Sequence, residues 1–454
     1  MGEGWSDWYA MDLLAKEGFV RDTRADGDLR VGQYVGVGKD LIRIQPLDCA
    51  VASTSPKCPG VPRGPGVSAK HGGFTYGDFG KIVGGLEVHT DGEIWGETLW
   101  DLRTKIGSDA AESLVTRAME LSPANPSFLD MRNAILAADA VQGGKRNTAI
   151  WQVFAFRGMG YFASALNGDD STPFEDFSMA PLPNAPKGSV TGTLTDDATR
   201  AALPEAVVGI GGHASAPGFT EYLAGTTNSA GKYTIPGVFF GTYHEVSATK
   251  AGFDDKVDSL TVRAALTTHS YRLRRDWAAS GGGAGIAAFT GPDFTEFGCG
   301  PAAAIDQSLG NGWSSTSAEF SDGPGGMSIT PKLVVVKLSQ AVDVSAIAVD
   351  PGNTCGDDGS ASTKDYKIET TRSLHLGTAT WRVAKQGSFR AVDRHRLNRL
   401  TPAAGTASAV TFLRFTMINP QVPGDFTATC TDSGLSGCVF MDMSELEVYG
   451  APTR

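Results

Sequence analysis

Apolar residues recur along this chain with two periods, and the change of period divides it. Trp8, Tyr9, Met11, Leu13 and Leu14 follow a glycine-rich opening and predict a first helix. Between residues 82 and 163 the spacing is again helical: Trp95, Leu99, Leu102 and Ile106 recur every three or four positions. Thr90-Asp91-Gly92-Glu93 reads as a capping box opening that helix, which gives Glu93 a structural task. Further helices are expected at about 109–121, 127–142 and 147–157, with Ser127 and Asp130 capping the second of these. Residues 20–80 are loop-rich, and the Pro/Gly run at 59–66 forbids regular structure.

Beyond residue 163 the period changes to two. Residues 164–187 are rich in proline and polar side chains and read as a linker. Alternating runs at 189–195, 206–210 and 257–262 predict the strands of a second domain over 188–274. A glycine-rich joint follows at 281–285. The strand-like runs 332–338, 344–349, 410–416 and 444–449 then predict the strands of a third domain over 285–454.

Composition narrows the classes. The formal charge is −11 and no basic run stands out to neutralise phosphates, which argues against nucleic acid as a partner. No stretch is long and apolar enough to span a bilayer. No signal peptide is present, which follows equally from a missing amino-terminal part, with Met1 an internal methionine. The six cysteines distribute evenly: Cys49 and Cys58 in the first region, then Cys299, Cys355, Cys430 and Cys438 in the last. Short loops suit Cys49/Cys58 and Cys430/Cys438, leaving Cys299/Cys355; disulfides imply an oxidising compartment, buried free thiols being the other reading.

Candidate chemistry begins at the first residues. Glu3 and Asp7 are four apart and share a helix face, which suits a metal ligand and the carboxylate that orients a neighbouring ligand. Acids in the first turn, stabilised by the helix dipole, are the structural alternative. The word Gly2-Glu3-Gly4-Trp5-Ser6-Asp7 resembles the third-ligand motif of the fungalysin family of secreted zinc metallopeptidases. Thr75-Tyr76-Gly77-Asp78, Val88-His89 with Gly92-Glu93-Ile94-Trp95, Leu99-Trp100-Asp101-Leu102, the run 122–128 and Arg157-Gly158-Met159-Gly160 extend the resemblance in order over about 1–180.

The resemblance implies a thermolysin-like fold, of which residues 1–163 would be the mainly helical C-terminal lobe. It implies zinc-activated water attacking protein or peptide substrates outside the cell. Glu3 would be the third zinc ligand, Asp7 would orient a histidine ligand, and His89, just before a helix start, would stabilise the oxyanion; a plain helix-entry histidine is the alternative. The family's His-Glu-x-x-His helix is not here, since no two of the seven histidines (His71, His89, His213, His244, His269, His375, His395) are four apart. His244-Glu245 starts like it, but Ala248 follows, in a strand-like segment. The isolated chain is therefore expected to be inactive. Tyr76 and Asp78 match without an assignable role.

Residues 188–274 resemble the carboxypeptidase regulatory-like domain, a transthyretin-like β-sandwich, through the run 226–236 and Ala251-Gly252-Phe253. Residues 285–454 resemble discoidin-type, galactose-binding-like jelly rolls through Ala304-Ile305-Asp306-Gln307, Gly312-Trp313 and the closing run 444–449. That likeness implies a calcium site at Asp306 and Glu447, solvated acids being the alternative. It also implies carbohydrate or cell-surface ligands. The competing function is accordingly a non-enzymatic glycan- or surface-binding adhesion module.

Overall fold

The computed structural model describes residues 1–23, 25–33, 35, 42–61, 72–83, 86–168, 170–214, 217–219, 221–319, 328–424, 430 and 436–453. Residues 62–66 of the Pro/Gly run, and His71, lie outside the described residues. Two compact units result: residues 1–193, 207–248 and 257–270 form one, and residues 194–206, 249–256 and 271–454 the other. The division falls within the stretch 188–274 expected as one sandwich.

The first unit begins with five helices: α1 (Gly2–Lys16), α2 (Val88–Ile106), α3 (Ser108–Leu121), α4 (Phe128–Val141) and α5 (Asn147–Phe156). Helix α4 starts as its sequence requires: Ser127 and Asp130 form a reciprocal capping box. Helix α2 does not start where the sequence reading put it. Its cap is Glu87, whose carboxylate accepts the Thr90 N–H at 2.8 Å. His89 is therefore already in the first turn, and Glu93 lies one turn further on. The return bond to the cap comes from Asp91, which accepts the Glu87 N–H at 3.0 Å.

Every residue of α2 from Thr90 to Trp100 is buried, so the helix is enclosed on all sides. Helix α1 lies against it through glycines. A Cβ on Gly4 would sit 2.2 Å from the Gly92 carbonyl oxygen and 3.0 Å from the Gly96 nitrogen. The glycine after Glu3 thus sets how closely the two helices approach. The disulfide Cys49–Cys58 ties the irregular segment between them.

The same unit continues into β structure. Strands β1 (Lys187–Asp196), β2 (Val207–Ile210), β3 (Ala224–Thr226), β4 (Lys232–Phe239), β5 (Gly241–Thr249), β6 (Phe253–Asp254), β7 (Lys256–Val262), β8 (Leu266–Thr268) and β9 (Tyr271–Arg275) follow in order. In the first unit β1 runs antiparallel to β4 and parallel to β8, and a second sheet has the order β3-β2-β5-β7. Alternation buries Val190, Ile235, Val208 and Val246. Helix α4 grips this β region: the buried Arg132 donates to the Met159, Gly160 and Gly212 carbonyls, and Asn133 donates to Gly212 at 2.8 Å. The first part of the expected linker is tied down as well. Ser164 and Phe174 exchange backbone bonds, and the Glu175 carboxylate accepts from Thr75 and Gly77.

In the second unit Leu194, Thr195 and Asp196 of β1 pair in parallel with β9, which pairs with β6. The remaining strands are β10 (Gly285–Phe289), β11 (Trp313–Thr316), β12 (Ala318–Glu319), β13 (Ser328–Ile329), β14 (Lys332–Asp350), β15 (Thr363–Thr371), β16 (Arg382–Ser388), β17 (Asn398–Leu400), β18 (Val410–Pro420), β19 (Phe440–Met443) and β20 (Glu445–Pro452). Strand β14 serves two ladders. Its first half pairs with β10 and β18, and its second half with β17 and β20. The irregularity between Lys337 and Val342 marks the change. The enclosed core contains Trp313, Val336, Ile347, Phe415, Met441 and Leu446. Cys299–Cys355 and Cys430–Cys438 complete the expected disulfides.

Gly4→Ala is expected to lower stability by roughly 1–3 kcal/mol, because its Cβ meets backbone that cannot rotate away. Thermal melting checks this. An unchanged melting temperature would show that α1 does not depend on the contact.

Candidate functional site

Helix α1 brings Glu3 and Asp7 to one face, as their spacing predicts, and a single cation meets both. The Arg43 guanidinium donates to Glu3 Oε2 at 3.0 Å, and to Asp7 Oδ2 at 2.6 Å and Oδ1 at 3.1 Å. Burial disfavours the Arg43 charge, but Asp7 and Glu3 more than offset this and hold its pKa above the usual value. His89 approaches from α2. Its Nδ1 lies 2.5 Å from Glu87 Oε1 and its Nε2 lies 3.5 Å from Glu3 Oε2. A carboxylate that close makes Nδ1 a donor, so Nε2 is the nitrogen left facing Glu3. Burial pushes the Glu87 carboxyl up, but His89 and the Thr90 and His89 backbone N–H groups outweigh it and hold it at about 2.

Beside these groups an open cleft of about 490 Å³ is lined by Ile42, Arg43, Ile44, Glu87, His89, Thr90 and Glu93. Arg43 reaches it because α2 fixes the backbone behind it. The Glu93 carboxylate accepts the Ile44 and Gln45 N–H groups at 2.9 and 3.2 Å. Gln45 in turn donates to Glu97 at 2.6 Å and accepts from the Gly60 N–H at 3.0 Å. Arg43 was not found from sequence. It sits 36 residues from Asp7 in a segment with neither helical nor strand period, and no local word marks it.

The other sequence-matched residues have structural partners. Tyr76 is buried and stacks on Phe128 at 5.7 Å between ring centroids. Asp78 accepts the Thr75 N–H at 2.8 Å. His244 lies in β5 and stacks on Phe174. In the second unit Asp306 is exposed and accepts the Ser308 N–H at 2.9 Å. The carboxylate that feels Asp306 is Glu445, which accepts the Gln307 N–H at 2.9 Å. Burial, with Asp276, Glu447 and Asp306 nearby, pushes Glu445 up to about 11. Glu447 instead accepts the Tyr449 hydroxyl, and burial raises it to about 8.

Metal binding can be tested against these donors. Glu3 offers one carboxylate, already engaged by a guanidinium. Among the described residues no group of three or more His, Cys, Asp or Glu side chains could hold a metal ion. A catalytic zinc site generally takes three protein ligands, and the described residues do not bring three together.

Residues 1–163 match the fungalysin metallopeptidase (M36) family. Extracellular metalloproteinase 2 of Arthroderma gypseum is 30% identical over 182 residues, 35% of this chain and 25% of that protein. The extracellular metalloproteinase mep of Aspergillus terreus is 32% identical over 190 residues, 37% of this chain and 26% of that one. The chain thus spans about a quarter of the length of the curated relatives it matches. Among solved structures, the C-terminal domain of a Bacteroides fragilis chitobiase is similar at 18% identity and a TM-score of 0.26, covering 38% of this chain and 95% of that one. CBM32-3 from a Clostridium perfringens family 31 glycoside hydrolase is similar at 17% identity and a TM-score of 0.26, covering 37% and 90%.

Within the fungalysin-like segment Glu93 is one of several perturbed carboxyls, with Glu97 on the same helix raised further. Burial pushes Glu93 up to about 7 against the two backbone N–H bonds and the Arg43 charge. A carboxyl raised in the folded state contributes stability fully below its unfolded pKa and loses it as pH rises through the folded value. The first unit is therefore expected to lose stability between about pH 4.5 and 7 through this group. Glu93→Gln, which keeps a carbonyl acceptor, should flatten that dependence. Denaturant midpoints at pH 5 and pH 8 for both proteins test it, and equal slopes would refute it.

Proposed function

We propose that this chain acts as part of an extracellular zinc metalloendopeptidase, to which residues 1–163 contribute one wall of the active site. The observation that supports this most directly is local. Glu3, in the fungalysin-matched opening word, faces His89 Nε2 at 3.5 Å beside the cleft. The relatives' printed names support secretion and proteolysis. Zinc, when bound by a complete ligand set, polarises a peptide carbonyl and acidifies a water.

In this reading Glu3 is one zinc ligand. Asp7 accepts a hydrogen bond from a histidine ligand, a role for which Arg43 competes. His89, as an imidazolium with Nδ1–H donated to Glu87, donates from Nε2 to the developing oxyanion. The middle β region is proposed as a carboxypeptidase regulatory-like structural module, and the larger β-sandwich as a discoidin-like surface-binding module.

The purified 454-residue chain is expected neither to cleave casein nor to retain one zinc per chain. Caseinolysis by this chain, abolished by Glu3→Ala, would overturn that. If in-frame sequence upstream of the Met1 codon encodes His-Glu-x-x-His, the longer protein should cleave casein. In it, Glu3→Ala should abolish zinc retention, and His89→Ala should lower kcat by about 10²–10³ with little change in KM. Full activity in either variant would refute the assigned roles.

A further inference from the structure

The overall charge of −11 conceals a local reversal. Between Arg382 and Arg399 lie Arg382, Lys385, Arg390, Arg394, Arg396 and Arg399, against one acid, Asp393. These residues belong to one side of the second unit. Strand β16 ends the order β10-β14-β18-β15-β16, and after residues 389–397 the chain pairs as β17 with β14. Residues 401–405 then return beside β16: the Ala403 N–H donates to Ala384 at 2.7 Å, and Arg382 donates to Gly405 at 3.1 Å. Residues 382–384 of β16 and 403–405 thus lie side by side, and residues 389–397 connect β16 to β17. A shallow cleft of about 490 Å³ runs along this edge, lined by Val383, Ala384, Lys385, Gln386, Thr401 and Ala403.

Little on the protein neutralises this edge. Asp393 is shared by Arg390 and Arg396, at 3.4 and 2.9 Å. Arg394 donates to the neutral Gln421 at 2.9 Å and also feels the Asp358 carboxylate. Among the described residues Lys385 and Arg399 have no carboxylate partner. Arg382, Arg390, Arg396 and Arg399 are exposed. Four solvent-facing guanidinium groups present planar donor forks suited to sulfate and carboxylate oxygens.

The surroundings favour one kind of polyanion. Binding single-stranded nucleic acid needs aromatic platforms for the bases. Here Phe389 is buried against Tyr366 at 4.3 Å, and Trp381 is covered by the Arg414 guanidinium at 4.4 Å. A bilayer surface would call for large apolar side chains beside the cations, and this window exposes only the valines Val383 and Val392. We propose that the edge formed by residues 382–405 binds an anionic polysaccharide carrying sulfate or uronate groups. This does not depend on the peptidase reading.

The test uses the whole chain and dextran sulfate, with neutral dextran and single-stranded DNA of matched charge as comparisons, read by fluorescence anisotropy. Dextran sulfate should bind at 50 mM salt and weaken about ten-fold or more by 300 mM. DNA should bind at least ten-fold more weakly. Lys385→Glu with Arg399→Glu should lower dextran sulfate affinity ten-fold or more. Lys105→Glu with Lys145→Glu, on exposed helical and loop positions of the first unit, should leave it unchanged. The Arg382→Gln, Arg396→Gln pair gives a milder second reading if charge reversal impairs folding. Absence of binding at 50 mM salt, equal affinity for DNA, or equal loss in the Lys105/Lys145 variant would each overturn the proposal.

Discussion

Arg157 is the charge around which the helical half is assembled. Its side chain has no solvent exposure, so its cost of burial is offset only if every donor is matched. Its partners come from two elements. It pairs with Glu97 and Asp101 of α2, and it donates to the Phe74 and Cys49 carbonyls of the long irregular segment. Asp101 and Glu97 hold its pKa well above the ordinary value despite desolvation. Removing a partner would strand a buried charge. The irregular segment is therefore fixed by electrostatics where it has no secondary structure of its own.

The candidate site inherits that fixation. Glu97 binds Arg157 and also Gln45, and Glu93, one turn earlier, holds the Ile44 and Gln45 backbone. Those two carboxylates make α2 a rail along which the segment is laid. Arg43 is delivered by it to Glu3 and Asp7. On the other side, glycine contacts between α1 and α2 place Glu3 within reach of His89. The relative position of three functional candidates thus depends on buried acids and missing Cβ atoms more than on the apolar stripe of any helix.

That dependence explains what the sequence revealed. The apolar period located the helices, and the Ser127/Asp130 box was read correctly because both partners are local. Even cysteine counts gave the three disulfides for the same reason: two of them close short loops. Glu93 was misread because Thr90-Asp91-Gly92-Glu93 imitates a cap, while its real partners are backbone groups 48 and 49 residues away. Arg43 was invisible on the same grounds. The middle β region was legible as strands, but its division was not. Strand β1 changes partners along its length, from β4 and β8 to β9, and a period of two carries no record of which strand lies alongside.

Burial also changes what the formal charge means in the second unit. Burial and mutual proximity raise the Glu445, Glu447 and Asp276 carboxyls above the usual range and disfavour their charged forms. The acids raised in this way are interior, whereas Arg382, Arg390, Arg396 and Arg399 are exposed. A count over the sequence weighs both kinds equally and returns −11. An approaching polymer meets the surface, where the field along residues 382–399 is positive. Net charge, summed over the chain, therefore carries no information about the sign of this edge.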